Sequence, residues 1–222
     1  MSTLPWPKAI LFDLDGTLAD TAKDLGGALN RLLAEEGKPP VAYEQIRPLA
    51  SHGARGLVEL GFGIGRDHPG FDALRLRFLD QYEHGFCDET TLFDGINPVL
   101  DELARRGIAW GIITNKPMRF TDRLVPVLGF STPPAVVVSG DTVGVAKPDP
   151  RPMHYACAQL GVAPEDCWYV GDAERDMAAG RAVNMVTVLA SYGYIAATDE
   201  PHAWGADASI AAPSELLAHL QR

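Results

Sequence analysis

Residues 9–17 read Ala-Ile-Leu-Phe-Asp-Leu-Asp-Gly-Thr, and this stretch decides the fold. Its first four residues are a short apolar run after Pro7 that stops at Asp13, the pattern of a buried strand emptying into a polar loop. The pattern recurs downstream. A helix over 99–105 closes at Gly107, where a left-handed cap is easy, and 108–113 reads as the next buried strand. Further strands are expected at 136–138, 168–170 and 185–189, with helices at 152–160 and 178–182 between them. Such alternation implies a parallel sheet covered by helices on both faces, an α/β, Rossmann-like doubly wound core. The tail adds an edge strand at 208–210 and a last helix from Ser214, with Leu216, Leu217 and Leu220 facing inward.

Between the first strand and residue 93 the spacing turns helical. Leu25, Ala28, Leu29, Leu32 and Leu33 share one face, followed by Leu57, Val58 and Leu60, then Leu74, Phe78 and Leu79. The glycines of 61–70 (GFGIGRDHPG) follow no strand, so they read as a helix–helix connection and not as a nucleotide loop. The expected organisation is a core of residues 1–20 and 93–222 with a helical insert over 21–92, hinged near 19–21 and 92–95.

Composition excludes several classes. A formal net charge of −10 over 222 residues, with no block of Lys or Arg, argues against nucleic acid as a partner. It does not exclude an anionic substrate, because a bound cation and placed lysines reverse the field locally. The three cysteines, Cys87, Cys157 and Cys167, form no C-x-x-C pair, which fits a reducing cytoplasm. The N-terminal apolar run ends too early in carboxylates for a signal peptide or membrane span. Ser51-His52 is no half of a hydrolytic triad, since adjacent side chains rarely face each other and no G-x-S-x-G elbow exists. Whether the chain is a monomer or a homodimer is not written in these patterns.

In an open α/β sheet ligands collect at the carboxyl ends of the strands. Four such ends carry reactive groups: Asp13 and Asp15 in DLDGT, Thr114 and Asn115 in ITNK, Lys147 in AKPDP, and Asp172 with Asp176 in GDAERD. These are the residues a phosphate ester needs, because its charged oxygens must be neutralised and its nucleophile and leaving group aligned. Asp13 is the nucleophile of choice, a carboxylate able to form an aspartyl-phosphate. Asp15 is placed to protonate the leaving alkoxide and then deprotonate water. Gly16 lets the backbone turn closely round the phosphate, and Thr17 would start the next helix and offer a hydroxyl or N–H. Asp13, the Asp15 carbonyl and Asp172 form an oxygen set for Mg2+, with Asp176 one helical turn behind. Thr114 and the Asn115 backbone would bind a phosphoryl oxygen, and Lys147 would offset the charge.

The ordered set clearly resembles the haloacid dehalogenase-like hydrolase superfamily, whose motifs match Asp13 to Thr17, Thr114, Lys147 and Asp172 to Asp176 over nearly the whole chain. The resemblance implies a phosphatase acting on a small phosphate ester with magnesium as cofactor. An insert after the first motif resembles the helical cap of the phosphoglycolate phosphatase group, which closes over the site and excludes water. Within it SHGARGL is the segment most like a specificity loop: Ser51, His52, Gly53 for close approach, and Arg55 to pair with a substrate carboxylate. A helix N-terminus with a surface arginine fits Arg55 equally well. The resemblance implies 2-phosphoglycolate first, with N-acetylmuramic acid 6-phosphate or another sugar phosphate as the alternative.

Particular residues weigh against the rival readings. An EF-hand needs Gly and Glu where this chain has Leu18 and Asp24. A phosphoacceptor receiver domain stays as the non-enzymatic alternative, with Asp15, the insert and GDAERD arguing against it. A dehalogenase has no alkoxide to protonate and so no need of Asp15. Lys116 and Arg175, though inside motifs, are expected to be surface or packing residues.

Overall fold

A computed structural model describes residues 4–220. Strand β1 (Ala9–Phe12) leads through a turn to the short strand β2 (Ala19–Asp20). Four helices follow, α1 (Ala22–Glu35), α2 (Tyr43–Ile46), α3 (Gly53–Phe62) and α4 (Phe71–Glu83), before β3 (Thr91–Leu92) returns antiparallel to β2. The remainder alternates: α5 (Ile96–Arg105), β4 (Ala109–Ile113), α6 (Met118–Leu124), β5 (Val137–Val138), α7 (Arg151–Leu160), β6 (Cys167–Gly171), α8 (Glu174–Arg181), β7 (Val186–Ala190) and β8 (Ala208–Ile210).

The main sheet is parallel, in the order β5-β4-β1-β6-β7-β8. The chain builds outward from β1 through β4 to β5, then crosses to β6 on the other side of β1. That reversal opens a crevice at the carboxyl end of β1, where Asp13 stands. Successive β1 side chains face opposite layers. Ile10 and Phe12 join Val99, Leu103, Trp110 and Trp168 under α5, while Ala9 and Leu11 join Met153, Ala156 and Ala179 under α7 and α8. Burying each large apolar side chain contributes roughly 1.5–3 kcal/mol, so a strand buried on both faces is a firm base for the loop after it.

The helical insert has its own core. Leu25, Leu29, Leu32 and Leu33 of α1 meet Leu57 and Val58 of α3 and Phe71, Phe78 and Tyr82 of α4. This cluster also contains Phe120 of α6 and Tyr194 beyond β7, so the insert rests on the main body through aromatic contacts. The Tyr82 and Phe120 rings meet edge to face, 5.0 Å between centroids. Asp24 accepts bonds from the N–H groups of Glu89 and Thr90 and from Thr90 Oγ1, at 2.6–3.1 Å, tying α1 to the approach to β3.

Four sequence expectations change. Thr17 does not open a helix: the turn after β1 runs first into β2, and α1 begins at Ala22. The helix α8 starts at Glu174, four residues before the apolar spacing suggests. α6 was invisible in the pattern because only Phe120, Thr121 and Leu124 of its seven residues are buried. Pro213–Leu220 winds as a 3-10 helix and not an α-helix; Leu216 and Leu220 are buried and Leu217 only half so.

Removing the Asp24 carboxylate leaves three donors without their acceptor. Asp24→Ala is therefore expected to lower unfolding free energy by roughly 2–3 kcal/mol, measured by urea denaturation, whereas a neutral result would mean that water replaces the carboxylate freely.

Candidate active site

Asp13 ends β1 with 2% of its surface exposed. Its Oδ1 accepts from the Leu14 N–H at 2.7 Å and lies 3.0 Å from Lys147 Nζ. The same ammonium is 2.7 Å from Asp176 Oδ1 and donates to the Ile113 carbonyl at 2.8 Å and to Tyr169 Oη at 2.7 Å. Two carboxylates therefore face this deeply buried lysine, as a buried ion pair requires. Asn115 fixes it from the neighbouring loop: its amide donates to the Lys147 carbonyl and accepts from the Lys147 N–H, both at 2.9 Å.

Asp172 ends β6. Its Oδ2 accepts from Ser51 Oγ at 2.7 Å and from the Tyr194 N–H at 2.8 Å, whereas its buried Oδ1 has no partner among the described residues. Asp176 Oδ2 accepts from the Ala173 N–H at 3.0 Å. Asp13, Asp172 and Asp176 each offer an oxygen, and these atoms lie within 4.8 Å of one another. Burial pushes the Asp172 carboxyl up to about 7, with Asp13 and Asp176 adding to the shift. Burial also raises Asp13, against the pull of Lys147. Three buried carboxylates facing two cations, Lys147 and Arg175, with one oxygen unpartnered, make a donor set that fits a hard, oxygen-seeking divalent cation.

Asp15 turns to a different wall. Its Oδ1 accepts from Thr21 Oγ1 at 2.7 Å and pairs with Lys116 Nζ at 2.9 Å. Lys116 also lies 4.6 Å from the Tyr82 ring centroid. Burial works against its charge, but Asp15 and Tyr82 prevail and hold its pKa above the usual lysine value.

A cavity of about 980 Å³ joins these walls. The core lines it with Asp13, Asp15, Thr114, Asn115, Lys147 and Asp172, and the insert with Ser51, His52, Gly53 and Arg55. Gly16, Thr17 and Asp176 are not on its wall. Gly16 packs behind the site instead: at φ +84° it has no room for a side chain, since a Cβ would stand 2.1 Å from Asp172 Oδ2. Thr17 is fully buried, with Oγ1 unpartnered. Gly53 has open space where a Cβ would stand, and its φ of +57° calls for glycine in its own right.

A model of the haloacid dehalogenase-like hydrolase family matches residues 10–190. The chain belongs to that family. Among curated hydrolases it is 40% identical to an N-acetylmuramic acid 6-phosphate phosphatase of Pseudomonas aeruginosa, across 97% of this chain and 95% of the other. It is also 40% identical to a phosphoglycolate phosphatase of Xanthomonas campestris, across 95% of each. A solved haloacid dehalogenase-like hydrolase from Streptococcus pneumoniae has the same fold, with a TM-score of 0.84 at 22% identity over 97% of this chain and 99% of that one.

Of the two residues of this hydrolase expected at the surface or in packing, neither is at the surface. Lys116 is 7% exposed and paired with Asp15. Arg175 reaches from α8 into the cavity, its side chain 19% exposed and Nη2 3.9 Å from Asp13 Oδ2. Both stand just past strand ends, and their burial follows from the carboxylates opposite. Tyr194 was missed outright, although it follows the end of β7, where the strand-end rule also applies.

The shift at Asp172 has a thermodynamic sign. The folded chain keeps this proton to about pH 7, while the unfolded chain releases it near 3.8. The associated stability is present below the lower value and lost as pH rises through the higher. In chelator, the unfolding temperature is expected to fall from about pH 5 to about pH 8, and Asp172→Asn to flatten that slope; an equal slope in the variant contradicts the assignment.

Proposed function

We propose that this chain is a magnesium-dependent phosphatase that hydrolyses a small phosphomonoester through an aspartyl-phosphate on Asp13. The observation that carries it is the contrast between two carboxylates two residues apart: Asp13 is buried against Lys147, and Asp15 is held at the cavity wall by Lys116 and Thr21. One suits a nucleophile and the other a proton carrier.

Asp13, Asp172 and the Asp15 carbonyl would hold Mg2+, with Asp176 supporting them through Lys147 and the Ala173 N–H. When bound, the cation neutralises phosphoryl and carboxylate oxygens so that two anions can meet. An Asp13 oxygen attacks phosphorus while the bond to the ester oxygen breaks, and Asp15 delivers its proton to the departing alkoxide. Asp15 then takes a proton from water as that water attacks the phosphoryl group, and the Asp13 carboxylate leaves, freeing inorganic phosphate. Lys147 balances charge on Asp13 throughout, and Thr114 and Asn115 line the cavity where the phosphoryl oxygens would sit. The helical insert would exclude water while Ser51, His52, Gly53 and Arg55 meet the leaving group.

For the ester we take 2-phosphoglycolate first, supported by the Xanthomonas relative and by Arg55, Arg66 and Arg75 on the cavity wall, a cationic setting for a second anionic group. A specific observation favours the second reading: about 980 Å³ is far more room than a two-carbon acid needs, and the Pseudomonas relative is named for a sugar acid phosphate. No described helix is long and apolar enough to cross a membrane. The cysteines are unpaired, in keeping with a reducing cytoplasm.

Phosphate release with Mg2+ should favour one of these two esters over common sugar phosphates, and Asp13→Asn should lose about three orders of magnitude or more. Release that is indifferent to Mg2+, or unchanged in the variant, would sink the proposal. Lys116→Met should lower kcat by about 10- to 100-fold, the worth of a hydrogen bond to a charged group, with KM little changed. An unchanged kcat would return Lys116 to a packing role.

A further inference from the structure

Asp172 is gripped by two parts of the molecule at once. Ser51, whose hydroxyl reaches Asp172 Oδ2 at 2.7 Å, belongs to the 3-10 turn Arg47–His52 of the helical insert. Tyr194, whose N–H reaches the same oxygen at 2.8 Å, belongs to the main body. Its hydroxyl in turn holds the hinge: Oη accepts from the Thr21 and Ala22 N–H groups at 2.6 and 3.0 Å and donates to Asp20 Oδ1 at 2.7 Å. Arg47, at the start of the Ser51 turn, closes the circle. Its guanidinium lies 5.2 Å from the Tyr194 ring centroid and donates to the Tyr192 and Gly193 carbonyls at 3.2 Å each. No slack remains behind Asp172, since a Cβ on Gly193 would stand 2.3 Å from its Cβ.

We propose that Ser51 and Tyr194 are positioning residues that aim Asp172 Oδ1 into the cavity, so that binding of a divalent cation and docking of the helical insert reinforce each other. This rests on the reading of Asp172 as a cation ligand. With both donors on Oδ2 the carboxylate is held in one orientation, and Oδ1 of this cavity-lining residue is left without a partner among the described residues. Without Ser51 the group turns more freely, and the cation must order it on binding. Partners that orient a metal-binding side chain typically carry 10- to 100-fold in affinity. Because Ser51 is in place only when the insert is docked, what the insert does for the cation the cation must do for the insert, by linkage. Arg47, which clamps the turn without bonding to Asp172, is coupled to the cation in the same way.

The test titrates magnesium chloride alone, reading the midpoint from the rise in unfolding temperature, with hydrogen exchange of the amides of residues 20–22 and 91–92 read in parallel. Ser51→Ala and Arg47→Met should each raise the magnesium midpoint about tenfold, and Ser51→Thr should restore it to within about twofold. Magnesium should slow hinge exchange in the wild type and much less in Ser51→Ala. A role in packing alone would lower the unfolding temperature in chelator and leave the midpoint in place. Wild-type midpoints in both Ser51→Ala and Arg47→Met, with magnesium stabilisation abolished in Asp172→Asn, would overturn the coupling and leave the cation reading standing. A wild-type midpoint in Asp172→Asn would overturn both.

Discussion

The structure depends on one buried ammonium. Lys147 lies 3.0 Å from Asp13 Oδ1 and 2.7 Å from Asp176 Oδ1 with 1% of its side chain exposed, so it joins the end of β1 to the first turn of α8. Breaking a buried pair by removing one partner costs about 3–5 kcal/mol, because the charge left behind has no water to turn to. The contacts of Lys147 are accordingly over-determined: Ile113 and Tyr169 take its remaining hydrogen bonds, and Asn115 pins its backbone from both sides. A doubly buried central strand, a crevice at its carboxyl end and two loops locked by an amide all serve to keep this ammonium among carboxylates.

Around that fixed point the site divides its charges by place. A chain with formal net charge −10 gathers Lys116, Lys147 and Arg175 at one cavity, each facing Asp13 or Asp15. These cations offset the carboxylates they face, and a bound divalent cation would add to them where an anionic ester approaches. The helical insert adds what the sheet cannot. Tyr82 lies over Lys116, Ser51 donates to Asp172, and Phe120 and Tyr194 join its apolar core from below. Side chains of the insert and of the sheet's loops thus meet at one cavity.

Much of this was legible in the sequence because the signals were local. Apolar runs of four or five residues that end at Asp13, Thr114 and Asp172 announce both buried strands and the groups after them, and the helical spacing of Leu25, Leu29, Leu32 and Leu33 announces the insert. The parts that stayed hidden depend on distant neighbours. Lys116 looks like any surface lysine until folding sets it against Asp15, 101 residues earlier in the chain. Arg175 gains its meaning from Asp13, and Ser51 from Asp172, which is 121 residues away. The positive φ that calls for glycine at Gly53 is likewise set by the fold around it and has no local mark in the sequence.

If Asp13 is the group that receives phosphate, the phosphorylated enzyme can be trapped during turnover. A radiolabelled phosphomonoester, mixed with enzyme and Mg2+ and quenched in acid, should leave label on the peptide that contains Asp13, acid-stable and released by base or hydroxylamine as an acyl phosphate. No such label should form on Asp13→Asn. Hydrolysis that leaves no label on the wild type under single-turnover conditions, or label on another residue, would contradict the account.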